Sequence, residues 1–140
     1  MADFRLPVQD AVVAALMPLD GTVVDGKPVR VLQHVPQTNP PVQPPLIVVG
    51  SIETTPIGGK DGDFDSVTFT VETYYRGPAR RFLLAMQADV RGQIEGQQLP
   101  AQAGVLLSEP VLDGADDALL EDGLTYSGTQ KFTLFAQPAS

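Results

Sequence analysis

The sequence of 140 residues contains no cysteine and only one histidine, His34. A chain without cysteine has no disulfide framework, no thiol nucleophile and no thiolate ligand for zinc or an iron–sulfur cluster. A single imidazole also excludes any site that needs two histidines from the same chain. Several common classes of enzyme and metal protein are therefore excluded by composition.

The sequence also lacks an excess of basic residues and any long run of apolar residues. Nine Lys and Arg residues against 17 Asp and Glu residues give a formal net charge of −8, opposite to the basic footprint of nucleic-acid-binding domains. No window approaches the ~18 apolar residues of a membrane span, and the first residues lack a secretory signal pattern. At ~100–200 residues per domain, we expect one soluble domain over residues 1–140, made in the cytoplasm.

Glycine and proline are in excess, with 13 residues of each. Five of the prolines lie in residues 36–45, including Pro40 and Pro41. A central strand or a helix does not hold such a density of proline. The segment is therefore predicted to be an extended, stiff arm, and we name it as a candidate for reaching a neighbouring subunit.

Apolar periodicity predicts two helices, over residues 7–19 and 79–94, in which apolar side chains recur every three or four positions. Strand patterns cover five further segments: residues 29–35, 46–52, 66–75, 104–112 and 124–136. The fourth is broken at Pro110, and the acidic residues 113–123 are predicted as turns with one helical turn at 118–121. This order predicts an α+β fold, with a mostly antiparallel sheet of four or five strands packed by two helices.

Residues 60–65 form an acidic segment that begins at Lys60. Four carboxylates fall at positions 1, 3, 5 and 12 of a calcium-loop pattern: Asp61, Asp63, Asp65 and Glu72. Position 6 needs glycine but is Ser66, and the residues that follow alternate as a strand rather than a helix. We interpret the segment as a solvated acidic loop, with a weak cation site as the alternative.

No set of residues supports catalysis. The chain has the single imidazole of His34 but no G-x-S-x-G element that would supply an activated serine. We interpret Asp116-Asp117 as a solvated pair. Gly58-Gly59-Lys60 lacks the rest of a phosphate-binding loop. We therefore predict no enzyme, no cofactor and no metal site. Arg80 and Arg81 at a helix start are poorly placed for the helix dipole, and Tyr74 lies on the wet face of its strand. An ordinary surface role is the default interpretation of these three residues, and they are the candidates for assembly contacts.

The order of segments resembles a known family. A helix (VQDAVVAAL) and a proline-rich lead-in precede an apolar strand ending in glycine (PPLIVVGSIETTP). An alternating strand (SVTFTVETYYRG) then runs into a second helix, and a strand with the pattern G-x-x-K-F-x-L-F-A lies near the end. Residues 7–136 are similar in this way to the tail terminator (tail-completion) proteins of long-tailed bacteriophages, prophages and gene transfer agents.

The resemblance implies a structural virion protein at the head-proximal end of the tail, assembled in the host cytoplasm. It implies a homo-oligomeric ring of six subunits that stops polymerisation of the major tail tube protein and joins the head-completion or connector protein. DNA would pass through the lumen without sequence-specific binding. We expect Lys60, Asp61, Asp63 and Asp65 to line the lumen or meet the tube. The alternatives are a head-completion or tail-tube subunit, or a small cation-binding module.

Overall fold

The computed structural model describes residues 3–35, 37–57 and 64–139. Two α-helices are present in these residues, α1 (Arg5–Leu16) and α2 (Arg80–Ile94), and a 3₁₀ turn over Met17–Leu19 follows α1. The strands are β1 (Val23–Val24), β2 (Lys27–Pro28), β3 (Arg30–Leu32), β4 (Leu46–Pro56), β5 (Asp65–Arg76), β6 (Val105–Leu107), β7 (Val111–Leu119) and β8 (Thr125–Pro138). None of the described helices is long and apolar enough to span a membrane.

The main sheet has the strand order β3-β4-β5-β8-β6, and β7 also pairs with β8. Only the β3–β4 pair is parallel, and every other pair in this sheet is antiparallel. The strands β1 and β2 form a separate hairpin. The predicted α+β class, with a mostly antiparallel sheet and two helices, is confirmed.

Both helices pack on the same face of the sheet, which we call the helix side. The alternating residues of β5 and β8 meet there, with Val67 opposite Leu134 and Phe69 opposite Phe132. The two phenyl rings stack with centroids 5.4 Å apart. The apolar stripes predicted for the helices complete this core, since Val8, Val12 and Leu16 of α1 and Leu83, Met86, Val90 and Ile94 of α2 are buried.

The helix boundaries follow from the prolines. Helix α1 begins at Arg5, so Pro7 lies in the first turn, where a backbone N–H has no helical partner anyway. Pro18 lies inside the 3₁₀ turn that ends the segment, because proline cannot continue an α-helix. The predicted strand at 29–35 is shorter than expected, since only Arg30–Leu32 pairs with β4.

The prediction for residues 113–123 was wrong. Most of this acidic segment belongs to β7, which extends from Val111 to Leu119 along β8. Its aspartates have low strand propensity, but pairing with a long neighbouring strand overrides that preference, and charged side chains are common on edge strands. The predicted strand at 104–112 is divided into β6 and β7, with Pro110 between them.

Candidate assembly surfaces

The sheet face opposite the helices, here called the open face, is lined by polar side chains. Ser66, Thr68, Thr70, Glu72 and Tyr74 of β5 lie there and are half-buried. They face Phe135, Thr133, Lys131, Thr129 and Ser127 of β8. The hydroxyl oxygens of Thr68 and Thr133 lie 3.2 Å apart, within hydrogen-bond distance. The face is rich in hydroxyls and mixed in charge.

Tyr74 lies on the open face, as its alternation predicts. Its hydroxyl donates to Oε1 of Glu72 at 3.3 Å. Partial burial and the nearby Glu72 carboxylate raise the pKa of Tyr74 above its usual value. The side chain is therefore a neutral donor held in place on this face, and its role in assembly stays a prediction.

A bulge in β4 shapes the same face. The register between β4 and β5 shifts between Val49 and Ile52, and the N–H of Ser51 donates to Oγ1 of Thr70 at 3.0 Å. A Cβ on Gly50 would collide with that hydroxyl and lie 2.9 Å from Oε2 of Glu72. Close packing therefore favours glycine at this position, since a larger residue would have to displace the Thr70 and Glu72 side chains.

Arg80 has an acidic partner in its own chain. Its Nε lies 2.9 Å from Oδ2 of Asp117 on β7, and its guanidinium lies 5.6 Å from the ring centroid of Tyr126. Arg81 lies over the ring of Phe82 at 5.0 Å. A contact of these arginines with another subunit stays a prediction, and within its own chain Arg80 links α2 to β7.

Asp65 is not part of a solvated loop, contrary to the sequence prediction. It is the first residue of β5, is buried, and lies opposite Pro56 and Ala136. Because successive side chains of a strand alternate in direction, Asp65 and Glu72 lie on opposite faces and about 23 Å apart along β5. The four-carboxylate calcium set is therefore wrong.

The other loop candidates, Lys60, Asp61 and Asp63, lie outside the described residues. Within the described residues there is no group of three or more His, Asp or Glu side chains that could hold a metal ion.

The proline-rich arm borders a groove. Residues 38 and 40–45 line it together with Lys27, Pro28 and Arg30, and its volume is about 590 Å³. Pro40 and Pro41 form part of its apolar wall, and the exposed Lys27 and Arg30 are its charged residues. We call this feature the arm groove.

The turn between β7 and β8 is held in one conformation by Asp122. Its Oδ1 accepts from the N–H groups of Leu124 and Thr125, both at 2.8 Å, and its Oδ2 accepts from the Thr125 hydroxyl at 2.6 Å. These hydrogen bonds lower the pKa of Asp122 to about 2. Gly123 takes a positive φ of 71° in the turn, a conformation that favours glycine.

Three leucines project from this turn. Leu119, Leu120 and Leu124 are 46%, 41% and 49% exposed, and Glu121 beside them is exposed too. We call residues 119–124 the leucine turn. An exposed cluster of large apolar side chains on a rigid turn is typical of a protein contact surface.

Comparison with known proteins identifies the family. The model of the family described as tail completion protein gp17 matches residues 10–136. The chain belongs to this family. The resemblance inferred from the order of helices and strands is thereby confirmed, and the chain is a structural tail-completion protein.

A solved structure has the same fold as this tail completion protein. It comes from the particle described as "Virion of native gene transfer agent (GTA) particle", with a TM-score of 0.75 and 18% sequence identity. The match covers 93% of this chain and 94% of the other. No curated protein sequence matches this member of the family.

Sequence reasoning missed two features of the tail completion protein. The leucine turn was overlooked, although the sequence LLEDGL places three leucines around an Asp-Gly turn signal. A buried polar contact between α2 and the sheet was also missed. There, Nε2 of Gln87 donates to the backbone carbonyl oxygen of Asp116 at 2.9 Å. In turn, Nε2 of Gln130 donates to the backbone carbonyl oxygen of Gln87 at 2.9 Å. Nothing in their sequence spacing signals that these glutamines meet.

Proposed function

We propose that this tail completion protein is a tail terminator, which closes into a ring of six on the head-proximal end of the tail tube. The ring stops tube polymerisation and presents the surface to which the head-completion or connector protein binds. The family match over residues 10–136 carries the proposal. The similar fold in a gene transfer agent virion also supports a place in the virion, after assembly in the host cytoplasm.

Charge supports the passage of DNA through such a ring. Each copy has a formal net charge of −8, so six copies carry −48. A negative lumen repels the phosphate backbone and lets DNA slide without adhering. Asp65 is buried in β5 and takes no part in this, but a lumen lined by residues 60–63 would serve this purpose, and these residues are proposed to lie there or against the tube.

The proposal is tested by electron microscopy of the purified protein mixed with major tail tube subunits. A terminator gives tubes that stop growing and whose ends carry an added ring of six-fold symmetry. Tube subunits without the protein are the control, and they continue to polymerise. Longer tubes that incorporate the protein along their length would identify a tube subunit instead.

A head-completion protein is the second candidate. It would bind the connector without capping tubes, so co-sedimentation with tubes separates the two roles. A map of the assembled tail that places residues 60–63 on the outer rim would contradict the lumen placement while leaving the terminator role intact.

A further inference from the structure

The leucine turn and the arm groove lie at the same end of the sheet but on opposite edges. One row of the register crosses all the strands between them: Arg30, Leu46, Tyr74, Ser127 and Ala118. The row has four strand-to-strand steps of about 4.8 Å, so its ends lie about 19 Å apart measured along the sheet. Arg30 lines the arm groove, and Ala118 immediately precedes the leucine turn.

This placement is what a head-to-tail contact requires. A cyclic ring larger than a dimer uses two different surfaces on each subunit, so that one copy presents the first surface to the second surface of the next. Two complementary surfaces on opposite edges of the sheet allow that contact to repeat around a ring.

The two surfaces are complementary in chemistry as well. The arm groove combines an apolar wall that includes Pro40, Pro41 and Val42 with the cationic Lys27 and Arg30. The leucine turn presents its three leucines beside the carboxylates of Glu121 and Asp122. Arg76 lies close enough to contribute to the lowered pKa of Asp122. Its single positive charge does not cancel the charges of both carboxylates, so the turn keeps a net negative charge.

A second copy is not expected to associate by adding a strand to the outer edge of β3, because backbone N–H groups on that edge are already bonded. The N–H of Val31 donates to Oδ1 of Asp20 at 2.9 Å, and the Val29 N–H donates to the carbonyl oxygen of Thr22 at 2.7 Å. Since these groups are already occupied, a neighbouring chain on this side meets the groove and its side chains rather than a free strand edge.

We propose that the leucine turn of one copy inserts into the arm groove of the next copy, and that this contact closes the ring. The occupant is a second copy of this chain. Leu120 and its neighbours pack against the arm prolines, while Glu121 faces Lys27 and Arg30. The identity of the oligomer as a terminator ring rests on the proposed function above, but the contact itself does not.

Cysteine crosslinking tests the contact directly, because the natural chain has no cysteine. The variant combines Gln43→Cys in the groove with Leu120→Cys in the turn. A disulfide within one copy needs Cα atoms about 4.4–6.8 Å apart. We do not expect one, because the groove and the turn border opposite edges of the sheet, at the two ends of the row from Arg30 to Ala118. Mild oxidation of tube-capping assemblies is expected to give a ladder of covalent oligomers on a non-reducing gel.

The matched control pairs Gln43→Cys with Leu84→Cys, since Leu84 on α2 is 46% exposed, close to the 41% of Leu120. It should give no ladder above the dimer. If the variant with Gln43→Cys and Leu120→Cys caps tubes but gives no ladder, this contact is overturned while the terminator role stands. A ladder in a protein that does not cap tubes would support the contact and overturn the terminator role.

Charge reversal provides an independent test. Lys27→Glu with Arg30→Glu makes the groove negative, and Glu121→Lys makes the turn positive. Either variant alone should need at least about tenfold more protein to form rings. An equimolar mixture should restore them, because each groove then finds a turn of opposite charge in an alternating ring. Failure of the mixture to form rings, with both variants folded, would overturn the proposal.

Discussion

The carboxamide of Gln87 occupies the space beside Gly128 that a Cβ atom would need. A Cβ built on Gly128 would collide with Nε2 of Gln87 and lie 2.9 Å from both its Cδ and the hydroxyl oxygen of Thr73. Gly128 lies opposite Thr73 in the sheet, so the missing side chain lets α2 place a polar group against two strands. The buried contact between helix and sheet therefore depends on glycine at one position of β8.

Gly128→Ala should destabilise the protein by about 1–3 kcal/mol, the usual cost of overpacking a core. The added methyl must displace Gln87, which also breaks its bond to the Asp116 carbonyl oxygen. Urea unfolding followed by circular dichroism measures the change. Gly114→Ala on the adjacent strand β7 is the matched control, because a Cβ there meets nothing within 4 Å. An equal loss of stability in both variants would contradict the close-packing argument.

Tyr75→Phe should cost about 1 kcal/mol at neutral pH, since it removes a hydrogen bond of a buried hydroxyl. That hydroxyl donates to Oδ2 of Asp25 at 2.7 Å, and the residue is only 2% exposed. Its ring also packs against Phe82, with centroids 5.2 Å apart, and phenylalanine keeps this packing. Thermal unfolding of the two proteins in parallel measures the difference.

The same variant should alter the alkaline limit of stability. Burial, followed by the bond to Asp25, raises the pKa of Tyr75 to about 12. Between pH 10 and 12 the unfolded chain releases this proton while the folded protein retains it, so the free energy of unfolding falls over that window. Tyr75→Phe should show a smaller fall there. Identical slopes would show that the Tyr75 hydroxyl does not control alkaline unfolding.

Asp122→Asn should destabilise the leucine turn at neutral pH and make no difference in strong acid. The pKa of Asp122 is lowered to about 2 by its bonds to Thr125 and Leu124. The stabilisation from its charged form is therefore complete above about pH 4 and is lost as the pH falls towards 2. Melting temperatures measured from neutral pH down to about pH 2 should converge for the two proteins. At neutral pH the melting temperature of Thr125→Val, which removes only the hydroxyl donor, should lie between those of the two proteins.

The strands that bury one face could be predicted from sequence because their alternation is strict. Val67, Phe69 and Val71 place β5 within one residue of the predicted start. The strand β7 could not be predicted in this way, because Asp113, Asp116 and Asp117 give it the composition of a loop. Its hydrogen bonds are provided by β8, which follows it in the chain, and local propensity carries no information about that pairing.

The candidate surfaces, too, could be predicted from the sequence only in part. The prolines of the arm are a local signal, so the arm could be named in advance, whereas the groove exists only because the β1–β2 hairpin and Arg30 fold against it. Arg80 could be predicted as a surface cation, but its partner Asp117 lies 37 positions away on a strand that was not foreseen. Contacts between distant elements require the topology, which the spacing of residues does not encode.

Replacing residues 37–43 with a glycine–serine segment of equal length should leave a folded monomer that no longer forms stable rings. The connection from β3 to β4 keeps its length, so the parallel pair Arg30–Leu32 with Leu46–Val48 can still form. The new segment lacks the apolar wall of the arm groove and is flexible rather than stiff, so a neighbouring leucine turn has nothing rigid to pack against. Tube capping and the concentration needed for ring formation are the two measurements. The same replacement over residues 100–103, a loop between α2 and β6, is the control and should leave both unchanged. Rings of unchanged stability after the arm replacement would mean that the arm is only a connector between two strands.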